Sequence, residues 1–389
     1  MPLNMICEFR DSFLSDSIKM EKDSKIYVAG HRGLVGSALV RRLEAQGYSN
    51  LVTRAHGQLD LTRQAAVDAF FEAEAPEYVL LAAARVGGIL ANSTYPAEFI
   101  YENLAMQTHL IHAAWKHNVK RLLFLGSSCI YPRECPQPMK EAYLLSGPLE
   151  PTNEPYALAK IAGIKMCQAY NRQYGTRFLA VMPTNLYGPR DSFDLENSHV
   201  LPALIRKFHL AKAAAAGDWE SIEQDEKCYG LIPEDFRAGL ISIARDKGHK
   251  APLGLDRPLP TPAVLLWGSG SPRREFLHVD DLAAACLFVL SLDENKFKSL
   301  LVDYPSPLLN IGWGRDHTIR DLAEIVMKIV GFDGDLAFDS ARPDGTPRKL
   351  LDISRIKILG WHPEISLADG IEQTCRWYRD NLAGKTGLP

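Results

Sequence analysis

The chain has 389 residues, 46% of them hydrophobic and 23% charged, which is enough for one large or two ordinary globular cores. The formal net charge is −3 and no long basic run occurs, so neither nucleic acid nor an anionic membrane surface is an expected partner. No stretch approaches the roughly eighteen unbroken apolar residues of a membrane span, and seven scattered cysteines without a CxxC or metal-like spacing read as reduced, cytosolic thiols with no metal site.

Residues 1–24 form an N-terminal extension that mixes charges with apolar residues and lacks a signal-peptide core; Met20 is a second natural start point. From Lys25 the pattern alternates. KIYVAG is a short apolar run ending in glycine, a buried strand, and residues 34–46 follow with helix spacing at Val35, Ala38, Leu39 and Leu43. NLVTR (strand), TRQAAVDAFFEAE (helix), EYVLLAA (strand), a long helix over 96–117 and RLLFLGSS (strand) come next. A proline-rich loop then leads to a helix over 155–174 and the strand RFLAVMPTN.

Alternating helices and fully apolar strands predict an α/β fold: a Rossmann-type, doubly wound parallel sheet over 25–190 with a smaller C-terminal substrate-binding lobe over 191–389. Residues 264–315 are expected to return in part to the large domain. An insert at about 213–260 opens with AKAAAAGDWE and closes with LDRPLPTPA, a linker-like composition. It could be a lid, a subunit contact or an inert excursion, and the last two are favoured because long surface insertions are tolerated.

The first strand-to-helix turn reads Gly30-His31-Arg32-Gly33-Leu34-Val35-Gly36. Glycines there permit the sharp turn and let backbone N–H groups approach a pyrophosphate at the helix N-terminus. A bare glycine triplet is also what any tight turn shows; the strand–loop–helix context is what points to a dinucleotide. An NAD site usually places a carboxylate after the second strand. Here that strand ends in Thr53-Arg54-Ala55-His56, and Arg32 lies in the loop itself. Two cations where a carboxylate would repel a phosphate favour NADP(H), although Arg54 can also be read as a solvated loop charge. Asp60 and Leu61 lie a little further on, placed for the adenine.

Tyr156 and Lys160 are four apart in the 155–174 helix and so share a face. A nearby ammonium lowers a phenol's pKa and can hold the nicotinamide ribose, while the tyrosine moves a proton at a carbonyl oxygen as hydride moves. Ser127 ends the preceding strand, at the carboxyl edge where such sheets bind ligands. Two residues on is Cys129; alternation along a strand would aim both side chains into one cleft. A cysteine in that place is more often a small core hydrophobe than a base.

These features join longer ones: GHRGLVGSA (30–38), AAARVGGI (82–89), FLGSSCIYP (124–132), NEPYALAKIAGIK (153–165), VMPTNLYGP (181–189), NSHVLPALIRKFH (197–209), WGSG (267–270), REFLHVDDLA (274–283) and PDGTPRKLLD (343–352). With them the chain resembles the extended short-chain dehydrogenase/reductase superfamily and, more narrowly, its GDP-L-fucose synthase family. The resemblance runs from Lys25 to about Trp377, the insert excepted. It implies NADPH-dependent epimerisation at carbons 3 and 5 and reduction at carbon 4 of a GDP-4-keto-6-deoxy sugar by a cytoplasmic homodimer. The dimer would form through the helix bearing Tyr156 and the one preceding Lys120.

The resemblance assigns Tyr156, Lys160 and Ser127 to reduction, Cys129 as base and His199 as acid. It places Leu125, Gly126, Ser127, Ser128, Lys160, Pro183, Thr184, Asn185, Leu186 and His199 along the cofactor. It gives Lys207, Trp267, Arg274, Asp344 and Lys349 to the GDP-sugar. The family often has arginine at Lys207; lysine keeps the charge but loses the bidentate fork, so phosphate binding would lean on Arg206. Two other readings compete. NAD-retaining epimerases and dehydratases of the same superfamily usually show a threonine, often followed by acidic residues, near Ser128 and Cys129. A non-catalytic NADPH-binding regulator would normally have lost Tyr156 or Lys160.

Overall fold

Strand β1 (Ile26–Ala29) is apolar and fully buried, and four later strands of its sheet are likewise buried along their length. The computed structural model describes residues 20–250, 260–302, 306–342 and 344–384. In chain order the large lobe is built from β1, α1 (Leu34–Ala45), β2 (Leu51–Val52), α2 (Gln64–Glu74), β3 (Tyr78–Leu81), α3 (Ile89–Thr94), α4 (Pro96–Lys116), β4 (Arg121–Leu125), α5 (Glu154–Tyr174) and β5 (Phe178–Pro183). The chain then crosses to a second lobe with β6 (Asn185–Tyr187), α6 (Val200–Ala215), α7 (Trp219–Tyr229), α8 (Glu234–Asp246), β7 (Ala263–Trp267) and β8 (Arg273–His278). It returns with α9 (Val279–Leu290), α10 (Glu294–Val302) and β9 (Leu308–Ile311). It ends with β10 (Asp316–Thr318), α11 (Ile319–Val330), β11 (Asp335–Asp339), β12 (Arg348–Lys349), α12 (Ser354–Ile358) and α13 (Leu367–Leu382).

The large sheet runs β2-β1-β3-β4-β5-β9, all parallel, with Ile26 paired both to Leu51 and to Tyr78. The order reverses between β1 and β3, which opens a crevice at their carboxyl ends. Arg121, on β4, is wholly buried and donates to the carbonyls of Leu290 and Leu292, tying the sheet to the end of α9. In the second lobe β8 is flanked by β10 and β12, β6 also pairs with β8, and β7 pairs in parallel with β11.

Residues 20–24 pack on the large lobe rather than trailing from it: Met20 is buried in its core and the Lys22 carbonyl accepts from Ser49 N at 3.1 Å. The expectations for residues 1–19 lie outside the described residues. The linker-like reading of the insert is not met over α7 and α8. Ile222, Ile232, Phe236, Leu240 and Ile243 enter the second core beside Phe208 and Val264. Apart from the buried Asp225, the charged residues of the stretch lie on the outer faces of two amphipathic helices.

Candidate active site

The glycine loop fills the crevice between β1 and β3. Gly30 has φ +83°, and a Cβ there would meet the Ala83 backbone at 2.8 Å. A Cβ on Gly36 would stand 2.1 Å from the Gly30 carbonyl oxygen. Gly33 caps α1, with Leu34 and Val35 half-buried in the first turn, and no acidic residue offsets that helix end. His31 Nδ1 is buried without a hydrogen-bond partner; burial, then Arg32 and Arg190, hold its pKa down. An orphaned ring nitrogen beside a backbone cradle fits a dinucleotide pyrophosphate.

The two arginines expected to select NADP(H) differ. Arg32 is exposed. Arg54 pairs with Glu74, donates to its neighbour's Thr53 carbonyl at 2.8 Å and lies over the Phe70 ring. His56 is exposed. Asp60 accepts from Thr62 N at 3.0 Å, and that turn holds its carboxyl below the ordinary range. Leu61 is buried, its carbonyl 3.1 Å from His109 Nδ1.

Strand β4 stops at Leu125. Gly126 donates from its backbone to the Val181 carbonyl and leaves no room for a Cβ against Met182. Ser127 then caps a 3-10 turn, Ser128–Ile130. Cys129 therefore lies on a turn, not a strand, and the alternation argument for a shared face does not apply. The tight turn achieves the proximity by another route. Ser127 Oγ accepts from Cys129 N at 3.5 Å, and the same hydroxyl acts on both the Cys129 thiol and the Tyr156 phenol, lowering the pKa of each.

Pro155 opens α5 and puts Tyr156 and Lys160 on the face toward β4. Lys160 Nζ donates to the Leu125 carbonyl at 2.9 Å and lies 5.7 Å from the Tyr156 ring centroid. Burial pulls the ammonium down to about 8. The expected lowering of the phenol is not found: burial first, then Cys129, push the Tyr156 pKa up, against the Ser127 hydrogen bond. Taking the phenolate out of water costs more than its neighbours return. Tyr156 is thus held as a neutral proton donor.

Burial also raises the Cys129 pKa, opposed by Ser127 and by the positive charges of Lys349 and Lys160. Lys349 reaches the thiol's surroundings because β12 pairs with β8, with Lys349 opposite Arg274. Arg274 in turn lies by Asp344, whose carboxylate accepts from Ser269 N at 2.9 Å and pins the WGSG turn. Trp267 leaves 63% of its surface exposed and carries the Arg342 guanidinium 4.8 Å from its ring centroid. Sequence reasoning gave Lys349 to the substrate and missed its electrostatic reach to Cys129; strand pairing at that distance leaves no local signal.

His199 is the N-cap of α6; the residue is exposed, and the protein around its imidazole lowers the ring's pKa by desolvation. Its loop meets the loop after β3, where Gly88 N donates to the Asn197 carbonyl at 3.1 Å. Thr184 Oγ1 and Asn185 Nδ2 both donate to the Glu275 carbonyl, and Pro183 sits in register with Ile311, so these residues brace β5 and β6. Leu186 pairs with Leu277. Ser128 is half-buried in the turn.

Lys207, two turns along α6 from His199, contacts α8 instead of the Arg274 cluster. Arg206 is not a phosphate ligand. It is fully buried, pairs with Asp225 at 2.7 Å and donates to the carbonyls of Phe193, Tyr229 and Gly230.

The chain belongs to the NAD dependent epimerase/dehydratase family, whose model matches residues 26–224 and 227–302. It is 51% identical over 365 residues to GDP-L-fucose synthase 1 of Arabidopsis thaliana, covering 94% of this chain and 96% of that one. Against the GDP-L-fucose synthase of Escherichia coli (strain K12) the identity is 48% over 360 residues, 92% of this chain and 97% of the relative. A solved GDP-D-glycero-L-gluco-heptose synthase from Campylobacter jejuni, in the presence of NADPH, superposes with a TM-score of 0.80 at 41% identity. That match covers 92% of this chain and 99% of the other. Within the family, the chain belongs with the GDP-L-fucose synthases.

Proposed function

We propose that this chain converts GDP-4-keto-6-deoxy-D-mannose to GDP-L-fucose, by epimerisation at carbons 3 and 5 and NADPH-dependent reduction at carbon 4. The observation that carries the reading is the convergence of the Cys129 thiol and the Tyr156 phenol on one hydroxyl, that of Ser127, with Lys160 and Lys349 near enough to act on the thiol. A C–H beside a ketone is removable only when a base is held close and the enolate is stabilised. Cys129 is the base, and the two lysines favour its thiolate. His199 is the acid that returns a proton on the opposite face. Tyr156, kept neutral by burial, protonates the carbon 4 oxygen. NADPH supplies the hydride when bound; the loop from Gly30 to Gly36 holds its pyrophosphate and Lys160 its nicotinamide ribose. Arg274, Lys349, Asp344 and Trp267 take the nucleotide sugar, with Lys207 on its diphosphate.

Among the described residues no helix is long and apolar enough to cross a membrane, and the six described cysteines are unpaired, which supports a reducing, cytosolic setting. Tyr101 on α4 and Leu158 on α5 are exposed and support a homodimer through those helices. Incubation with the keto sugar nucleotide and NADPH, followed by product identification, tests the reaction: GDP-L-fucose with one NADPH oxidised per turnover is expected. Absence of NADPH oxidation would overturn it.

A further inference from the structure

Lys207 is a proposed substrate residue that packs against the segment the family motifs do not cover. Its ammonium lies 5.3 Å from the centroid of the Phe236 ring, in the first turn of α8. The neighbouring Asp235 carboxylate is exposed and acts on the same charge, opposing the burial that lowers the Lys207 pKa. Contacts step down α8 as they step up the chain toward β7. Ser242 Oγ donates to the Pro260 carbonyl at 2.6 Å, and a Cβ on Gly239 would lie 3.8 Å from the Ala263 carbonyl oxygen. The first turn of α8 is therefore directed toward the Trp267 end of β7.

The corner before α8 is held firmly. Arg206 grips the Tyr229 and Gly230 carbonyls, Glu226 accepts from Ile232 N at 2.9 Å and also pairs with Arg237, and Phe236 is 9% exposed. A lysine has a flexible four-carbon stem and no fork to orient it. Here the face of a ring held in the core orients it instead.

We propose that the α7–α8 segment forms part of the nucleotide-sugar site, with Phe236 the positioning residue for Lys207 and Asp235 a nearby anion whose field the substrate diphosphate must outweigh. This rests on the reading of Lys207 as a diphosphate ligand. The ring replaces the geometry that a guanidinium would bring by itself. The carboxylate weakens binding of any ligand too poorly charged to compete for the ammonium, so the segment favours diphosphates over monophosphates.

GDP binding to the whole enzyme, followed by calorimetry, provides the test, with GMP and NADPH titrated beside it. Lys207→Ala should weaken GDP at least tenfold and leave NADPH unchanged. Phe236→Leu, which keeps the core filled but removes the ring's charge distribution, should weaken GDP roughly three- to tenfold, and Phe236→Trp should restore it. Asp235→Asn, at an exposed position, should tighten GMP more than GDP. In a Lys207→Ala background neither second change should alter GDP affinity. Unchanged GDP affinity in Lys207→Ala would overturn the lysine's assignment and this inference with it. A loss in Lys207→Ala, with Phe236→Leu and Asp235→Asn silent or equally effective in both backgrounds, would overturn the inference alone.

Discussion

Lys160 Nζ donates to the Leu125 carbonyl oxygen at 2.9 Å, which fastens α5 to the last residue of β4. The bond sets the distance between the phenol of Tyr156 and the turn that carries Ser127 and Cys129. It also leaves the ammonium in a desolvated place, with a pKa pulled down to about 8. A lysine lowered in this way is charged below about pH 8 and neutral above it. NADPH affinity should therefore fall as pH rises through that value, and Lys160→Met should lower affinity at neutral pH and abolish the fall. A pH-independent affinity in the wild type would show that the ammonium does not hold the cofactor.

Proton exchange and reduction should separate by mutation. Tyr156→Phe removes the donor for the carbon 4 oxygen, so NADPH oxidation should drop by about a hundredfold or more while deuterium from solvent still enters carbons 3 and 5. Cys129→Ser replaces the thiol with a far weaker acid and should lose the exchange by a similar factor. Slow reduction of the unepimerised ketone should persist. Normal exchange in Cys129→Ser would make the thiol a packed core side chain.

The same exchange has a definite pH profile. The Cys129 pKa is raised from its ordinary 9.0 and that of His199 lowered from 6.5, in each case mainly by burial. At neutral pH the resting pair is thiol and neutral imidazole; the working thiolate–imidazolium form is a constant minor fraction between the two pKa values. Below the lower value that fraction falls because the thiolate is lost; above the higher one it falls because the imidazolium is lost. The exchange rate should be flat across neutrality, with an acid limb below 6.5 and an alkaline decline that starts as Lys160 loses its charge at about 8 and steepens above 9.0. An alkaline limb near pH 7 would mean that burial does not set the thiol's state.

The parts of the molecule that depend on local spacing were legible in the sequence. Gly30, Gly33 and Gly36 announce a tight turn against a helix, and Tyr156 with Lys160 must share a face whatever surrounds them. What depends on burial was not legible. Tyr156 was expected to be lowered by Lys160, yet desolvation raises the one and lowers the other. Strand alternation reaches Cys129 only if RLLFLGSS is one strand, but the strand ends at Leu125 and Ser127 starts a turn. Arg206 looked like a phosphate ligand because it is a cation beside Lys207. Helix periodicity puts the two on different faces, and only the packing of α7 shows which one is inside.

That packing makes α7 and α8 structural. Asp225→Ala would leave the wholly buried Arg206 charge without its carboxylate and Tyr378 without its acceptor. Losing one member of a buried pair costs about 3–5 kcal/mol, so the urea midpoint should drop markedly, and replacing 213–250 with a short Gly/Ser linker should unfold the second lobe. An unchanged midpoint in Asp225→Ala would return the segment to the status of a peripheral excursion.

Cofactor selection rests on how two arginines are held. Arg54 reaches the edge of the crevice at the end of β2, but its guanidinium is engaged by Glu74, the Thr53 carbonyl and the Phe70 ring. A 2′-phosphate must compete with Glu74 for it. Arg32 is exposed in the glycine loop and has no ion-pair partner among the described residues, so it meets the phosphate without that competition. Arg32→Ala should raise the NADPH Michaelis constant by roughly tenfold and leave the NADH constant nearly unchanged, as the loss of one charge-assisted contact requires. Arg54→Ala alone should do less. Glu74→Gln should lower the NADPH constant by freeing Arg54, and it should do nothing once Arg54 is alanine. A wild-type enzyme that prefers NADH, or an Arg32→Ala variant that loses both cofactors equally, would show that neither guanidinium reads the 2′-phosphate.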